Sequence, residues 1–309
     1  MKTVFILNPG AGKKKNMENL RREILLACNS AEETAEVYVT RFCGDARNYV
    51  SDYCRKWGKA RFIACGGDGT LEEVLNGIVG CDGAEIGVMP LGTGNDFCRN
   101  LPCKKAAIRP EAFVTGNTIN CDVMKYTEKE TGVERYCMNM FNIGFDCNVA
   151  DMTNTLKGKS FITGSVAYVL SIFVMLLKKK GAALKLELDG KVIHNGKLLL
   201  TSVANGCYCG GGIKSNPGAS INDGLMDVNI VKNVSRFNFI TKLPFYMKGT
   251  HTKLKNIEKI ITTHKCKKLS ITPLNGKMRL CTDGEICTIG EITIDIIPSA
   301  IRFVIPDKI

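Results

Sequence analysis

Two kinds of hydrophobic patterning predict the fold class: an α/β domain with a mostly parallel sheet over residues 1–118, then an antiparallel β-sandwich domain over residues 119–297. In the first part, short apolar runs alternate with stretches of helical period. Each glycine-rich segment there follows an apolar run, as ligand loops do at the carboxyl ends of parallel strands. In the second part, short segments of alternating apolar and polar residues dominate. Residues 298–309 form a tail that can pack back on the first domain.

The elements follow in order. TVFIL (residues 3–7) reads as a buried strand, and residues 16–28 place Leu20, Ile24, Ala27 and Cys28 at helical spacing. A strand EVYVT (36–40), a helix (45–57) and a strand RFIAC (61–65) come next. A helix over 71–79 sets Leu71, Val74, Leu75 and Ile78 on one side, and EIGVMP (85–90) is a further strand. Asn95 and Asp96 are expected to begin another helix. Beyond residue 118, runs such as INCDVMKY, ALKLELDGKVIH, KLLLTSVANG and EITIDII read as strands, with Asp189-Gly190 marking a hairpin. Helices are expected over 161–180 and 235–248. The apolar run 161–177 is shorter than the ~20 residues of a spanning helix and contains Thr163, Gly164, Ser165 and Ser171, so it reads as buried or interfacial.

Composition narrows the function classes. A net charge of +12, from 42 Lys+Arg against 30 Asp+Glu, favours nucleic acid, an anionic lipid surface or phosphorylated small molecules. Nucleic acid ranks low, because aromatics are 7% of the chain and no nucleic-acid motif occurs. Residues 242–268 carry eight lysines against Glu258 alone. That is either a solvated face or a patch for an anionic membrane, where each basic residue contributes about 1 kcal/mol. Fifteen cysteines, odd in number and irregular in spacing, fit reduced thiols in the cytosol, and no Cys-x-x-Cys pair supports zinc. The five-residue run TVFIL before Asn8-Pro9 is shorter than the ~7–15 residues of a signal-peptide core, so a cytoplasmic protein is expected.

Four stretches carry chemistry. NPGAGKKK (8–15) follows the first strand and precedes a helix, so its amides would face a phosphate; it lacks the Walker A spacing. In GGDGT (66–70), Gly66 and Gly67 let backbone approach a triphosphate, Thr70 supplies a hydroxyl, and Asp68 can hold magnesium. PLGTGNDF (90–97) repeats this logic, with Asp96 as an N-cap or a group meeting the cation and the reacting hydroxyl. CTDGEICTIG places Asp283 and Glu285 around a glycine in the β domain. Alone it is a hairpin tip; beside the other loops it offers a carboxylate to accept a hydroxyl proton during phosphoryl transfer.

Together NPGAG, GGDGT, PLGTGNDF, NIGFD, GGGIKSNPGASINDGLMDV and TDGE resemble, in order and over essentially the whole chain, the diacylglycerol kinase catalytic family, in particular its soluble bacterial lipid kinases. The resemblance implies an NAD kinase/diacylglycerol kinase-like fold and ATP-dependent phosphorylation of a lipid hydroxyl, with diacylglycerol converted to phosphatidate. It implies that ATP is held by Asn8, Pro9, Gly10, Ala11, Gly12, Thr40, Gly66, Gly67, Asp68, Gly69, Thr70, Glu73, Thr93 and Asn95, with Asp68 and Asp96 managing the catalytic magnesium. A structural magnesium would fall on Asp223 and the carbonyls of Ser220 and Leu225. Glu285 matches the proton acceptor, with Asp283 a rival for that role. Two positions depart from the family: Glu72 stands where asparagine is common, and Cys98 where alanine is usual. Alternatives are an NAD kinase-like, sphingoid-base or polyprenol kinase, or a catalytically silent membrane-binding module. Peripheral association with an anionic membrane is expected, and exposed strand edges of the β domain would permit a homodimer.

Overall fold

The computed structural model describes residues 1–11, 17–30, 35–102, 109–145, 147–148 and 181–307. The helix expected over 161–180 and Asp146 of NIGFD lie outside them. The chain divides into two compact units, one of Met1–Asp122 with Ser299–Ile309, the other Val123–Pro298.

The first unit begins β1 (Thr3–Leu7), α1 (Met17–Ser30), β2 (Ala35–Val39), α2 (Asp45–Trp57), β3 (Arg61–Gly66), α3 (Asp68–Ile78) and β4 (Glu85–Pro90), followed by a short α4 (Pro110–Thr115). β1 pairs in parallel with β2 and β3, and β3 with β4. Val4 to Leu7 and Phe62 to Cys65 are fully buried, as strands covered on both faces must be. One face packs Phe5, Leu7, Ile63 and Met89 against Leu20, Ile24 and Cys28 of α1 and Phe113 of α4. On the other, Tyr53 of α2 meets Phe62 edge-on at 5.5 Å between centroids. There α2 and α3 approach so closely that a Cβ at Gly77 would lie 2.8 Å from the Arg47 carbonyl oxygen.

Strands β5 (Asn117–Glu128), β6 (Glu134–Cys137), β7 (Met140–Gly144), β8 (Ala182–Leu188), β9 (Lys191–Leu198), β10 (Leu200–Ala204) and β11 (Met226–Val231) lead to α5 (Arg236–Met247). After it come β12 (Ile261–Cys266), β13 (Lys268–Pro273), β14 (Met278–Thr282), β15 (Glu285–Ile289) and β16 (Ile292–Ile305). Within the second unit, one sheet runs β16-β13-β8-β9 with β5 beside β16 and β6 beside β5; the other runs β12-β11-β10-β7-β14-β15. Met124, Leu186, Leu269 and Ile294 of the first sheet and Phe141, Val228 and Leu280 of the second bury their side chains in one core, which makes this unit a sandwich. On the outer face of the second sheet, Phe239, Leu243 and Tyr246 of α5 pack against Phe145, Leu200 and Val231. The hairpin turns Asp189-Gly190 (φ 47° and 83°) and Asp283-Gly284 (φ 45° and 103°) both hold two consecutive left-handed residues, which Asp-Gly tolerates.

Two boundaries differ from the sequence expectation. α3 starts at Asp68 rather than 71, since GDGT supplies its first turn and an acidic residue there complements the helix dipole. Asn95 and Asp96 open no α-helix: Asn95 takes φ 49°, and the single 3-10 turn Phe97–Asn100 is cut off at Leu101, extended before Pro102.

After Ser299, β16 runs parallel to β4 through Arg302↔Glu85 and Phe303↔Ile86. Glu85, 2% exposed, receives Arg61 Nε and Arg302 Nη2, each at 2.7 Å, while Arg61 Nη1 also donates to the Phe113 and Val114 carbonyls at 2.7 Å. Removing one partner of such a buried pair typically costs about 3–5 kcal/mol, because the remaining charge stays desolvated. Glu85→Ala is therefore expected to lower stability by roughly 3 kcal/mol in urea unfolding, with the far-ultraviolet spectrum at zero urea unchanged.

Candidate active site

β3 and β4 pair in register to their ends, Gly66 opposite Pro90, so the loops leaving them start side by side. The Gly66 carbonyl accepts the Leu91 N–H (2.9 Å) and the Gly92 N–H (3.1 Å), folding the second loop against the first. A Cβ on Gly92 would stand 2.4 Å from the Gly67 Cα, and one on Gly66 would stand 2.2 Å from Thr70 Oγ1. Only glycine allows this backbone-to-backbone contact. From β1, Asn8 donates its N–H to the Cys65 carbonyl (3.1 Å) and Nδ2 to Thr70 Oγ1 (2.9 Å), while its Oδ1 accepts the Gly10 N–H (2.9 Å). Three strand mouths are thus laced together. Thr40 joins this edge by donating its N–H to the Leu7 carbonyl (2.8 Å). Pro9, Gly10 and Thr93 are exposed, Ala11 and Gly69 half-buried; Gly12, with Lys13 to Lys15, lies outside the described residues.

Both aspartates of these loops turn toward Gly94, where an added Cβ would lie 3.0 Å from Asp68 Oδ2 and 3.5 Å from Asp96 Oδ2. Asp68 Oδ1 accepts the Phe97 N–H (3.2 Å), and Arg99 Nε lies 3.6 Å from Asp96 Oδ1. Burial pushes the Asp68 carboxyl above its ordinary 3.8, against backbone amides of Asp96, Phe97, Asp68 and Asn95 that pull it down. Asn95 donates Nδ2 to the Gly92 carbonyl (2.7 Å), and its buried Oδ1 has no hydrogen-bond partner among the described residues. Bare amides, two converging carboxylates and an unsatisfied acceptor suit a polyphosphate carried with a divalent cation.

Glu73 has different work: its Oε1 accepts the Gly44 N–H (2.8 Å) and its Oε2 the Ala46 N–H (3.1 Å), so it caps α2. Gly92 and Gly94 are the residues that site reasoning passed over, although both stand in PLGTG. Their role is backbone approach, which leaves no chemical signature beyond the glycine itself.

In the second unit, Asp283 is committed. Its Oδ1 accepts the Met140 N–H (2.8 Å), and its Oδ2 faces the Met138 and Asn139 N–H groups and the Cys137 thiol, each at 3.3 Å. It ties the β14–β15 turn to the connection between β6 and β7, which leaves it poorly suited to receive a proton. Glu285, at the start of β15, is exposed, and its carboxylate has no hydrogen-bond or ion-pair partner among the described residues. Asp223 also lies here, with Oδ1 on the Leu225 N–H (3.1 Å) and Oδ2 on Lys265 Nζ (2.8 Å). Between α5 and the outer sheet face lies a small apolar cavity of about 50 Å3, lined among others by Phe145, Leu200, Val231, Phe239 and Leu243.

Loops and fold together define a family of nucleotide-using kinases: the chain belongs to the diacylglycerol kinase catalytic domain family with a YegS-type second domain. Residues 2–126 match the diacylglycerol kinase catalytic domain, and residues 139–305 match the YegS C-terminal NAD kinase beta sandwich-like domain. Lipid kinase YegS of Escherichia coli (strain K12) is 33% identical over 222 residues, 70% of this chain and 71% of that protein. The protein called "Probable lipid kinase YegS" in Escherichia coli O157:H7 (strain EC4115 / EHEC) gives the same figures. Among solved structures, a diacylglycerol kinase from Bacillus anthracis str. Sterne shares the fold with a TM-score of 0.71, at 22% identity, over 98% of this chain and 96% of that one.

Gly92→Ala is expected to displace the second loop and reduce nucleotide-dependent activity by about 100-fold, the usual consequence of a ~1 Å misplacement, with the overall fold retained by circular dichroism. A second expectation follows from Asp68. Because its folded carboxyl holds a proton more tightly than the unfolded chain does, its contribution to stability is complete below 3.8 and is lost as pH rises through the folded value. Asp68→Asn should therefore melt about 2–4 °C above wild type at pH 7, with the gain shrinking toward pH 4 in calorimetry.

Proposed function

We propose that this chain is an ATP-dependent lipid kinase that transfers the γ-phosphate to a lipid hydroxyl, with diacylglycerol the acceptor and phosphatidate the product. The observation that carries this reading is the contact of the Gly66-Gly67 and Gly92 loops, with the Asp68 and Asp96 carboxylates both turned to Gly94. That arrangement suits the phosphates of a nucleotide, and family membership favours a lipid acceptor over a soluble one.

The residues take the following roles. Asn8 to Ala11 and the loops from Gly66 to Thr70 and from Thr93 to Asn95 bind and orient the nucleotide, largely through backbone amides. Asp68 and Asp96 would hold the nucleotide's magnesium, which when bound offsets the charge of the phosphates. Glu285 accepts the hydroxyl proton as the lipid oxygen forms its bond to the γ-phosphorus, and ADP departs with the electrons of the broken P–O bond.

Peripheral association with an anionic membrane fits the outer side of α5. Phe237 is 76% exposed, and Ile240 and Phe245 also face solvent, beside Arg236, Lys242 and Lys248. No helix among the described residues is long and apolar enough to cross a membrane. We place the enzyme at the cytoplasmic face of a membrane, where ATP and lipid meet.

Purified protein with labelled ATP, magnesium and diacylglycerol in mixed micelles is expected to yield labelled phosphatidate. Undecaprenol, sphingosine and NAD serve as parallel acceptors. Glu285→Gln should lower kcat by about 10²–10⁴ with an unchanged urea midpoint. Phosphorylation of NAD alone, or vesicle binding with no turnover on any lipid, would overturn the proposal.

A further inference from the structure

The loop before β11 is where the family resemblance implies a structural magnesium, on Asp223 and the carbonyls of Ser220 and Leu225. The side chains of this chain already fill it with a cation. Lys265 Nζ lies 2.8 Å from Asp223 Oδ2 and 2.8 Å from Asp227 Oδ2, with the Gly218 carbonyl at 3.4 Å. An ammonium has three donors, and here it has three acceptors. The other oxygen of Asp223 is held by the Leu225 N–H at 3.1 Å, and Ser220 Oγ donates to Asn222 Oδ1 at 2.9 Å.

The register explains how the lysine arrives. In the antiparallel pairing of β11 with β12, Lys265 stands directly opposite Asp227, which is 2% exposed. A long stem from that position reaches past Asp227 to Asp223 on the preceding loop. A divalent ion on Asp223 would have to share its carboxylate with this ammonium, two like charges on one group. The donor set therefore does not fit magnesium while the lysine is in place.

We propose that Lys265 is the resident counter-ion of this loop, an ammonium supplied by the chain itself that clamps residues 218–227 to β12 in place of a divalent metal. The stability of this β unit is then independent of magnesium. The clamp goes beyond the kinase reading and does not depend on it: in this chain, magnesium dependence of activity would follow the nucleotide alone.

The test uses the full chain without nucleotide or lipid, so its outcome is separate from that of the kinase assay. After dialysis against EDTA, elemental analysis should find no stoichiometric magnesium or calcium in the wild type. Its melting temperature should stay the same between EDTA and 10 mM magnesium chloride. Lys265→Met, which keeps the stem and removes the charge, should melt about 5 °C or more below wild type in EDTA and rise with millimolar magnesium. Lys265→Arg should remain insensitive to magnesium, which guards against a methionine variant that fails to fold. One retained divalent ion per wild-type chain, a magnesium-dependent rise in wild-type melting, or a Lys265→Met variant that melts with the wild type would each overturn the clamp. A folded Lys265→Met variant with no magnesium response would overturn it as well, since the loop would then not be a cation site.

Discussion

Everything chemical in the first unit depends on the contact between two stretches of bare backbone, Gly67 and Gly92, at the ends of neighbouring parallel strands. Parallel pairing of β3 and β4 sends both loops out at the same edge, and the Gly66 carbonyl, shared by two amides of the next loop, holds them together. With any side chain at Gly92, the loops would separate and the aspartates that ride on them would lose their common focus. The glycines thus act as spacers of zero width, setting how close Asp68 and Asp96 come. Asn8 extends the same constraint to β1 through Thr70.

Proximity of that kind has a cost in stability. Asp68 is desolvated, and its carboxyl is pushed up despite the amides around it. The hydrophobic core of the first unit, from Phe5 through Met89 to Phe113, is what permits a site that is locally unfavourable until charge of the opposite sign arrives. Buried strands on both faces of the sheet give the loops a rigid base. That rigidity lets short loops position the groups they carry.

Much of this was legible in the sequence. The strands β1, β3 and β4, helix α2 and the Asp-Gly hairpin at 189–190 follow from local patterns, since apolar runs, helical period and turn chemistry each act within a few residues. The paired glycine loops were visible as motifs, and their position at strand ends follows from the α/β rhythm. What local pattern cannot contain is partnership across the chain. Glu73 reads as part of a nucleotide loop, yet it caps a helix that starts 28 residues earlier at Asp45. Asp283 reads as a rival to Glu285, yet amides of residues 138–140 claim both its oxygens. Lys265 looks like one more lysine in a basic stretch until β12 pairs with β11 and sets it against Asp227. In each case a strand pairing or helix packing of long range decided which side chain meets which.

Those three residues share a rule that separates structural from reactive acids in this chain. The carboxylates that hold the structure together here are satisfied in one of two ways. Asp45, Glu73 and Asp283 are surrounded by N–H and O–H donors, and Glu85, Asp223 and Asp227 by Arg or Lys. Each is already held by donors or a cation, which makes it a good anchor and a poor partner for a moving proton or a metal. Asp68 keeps Oδ2 turned toward Gly94 with Oδ1 on the Phe97 amide at 3.2 Å, and Glu285 stands in solvent at a strand start. The same turn makes the last distinction: the left-handed Asp283-Gly284 pair spends its first acid on holding the hairpin down. Two residues later, that hairpin presents a second acid whose carboxylate has no partner among the described residues. A DGE tip therefore divides anchoring and chemistry between two carboxylates that type and spacing alone leave equivalent.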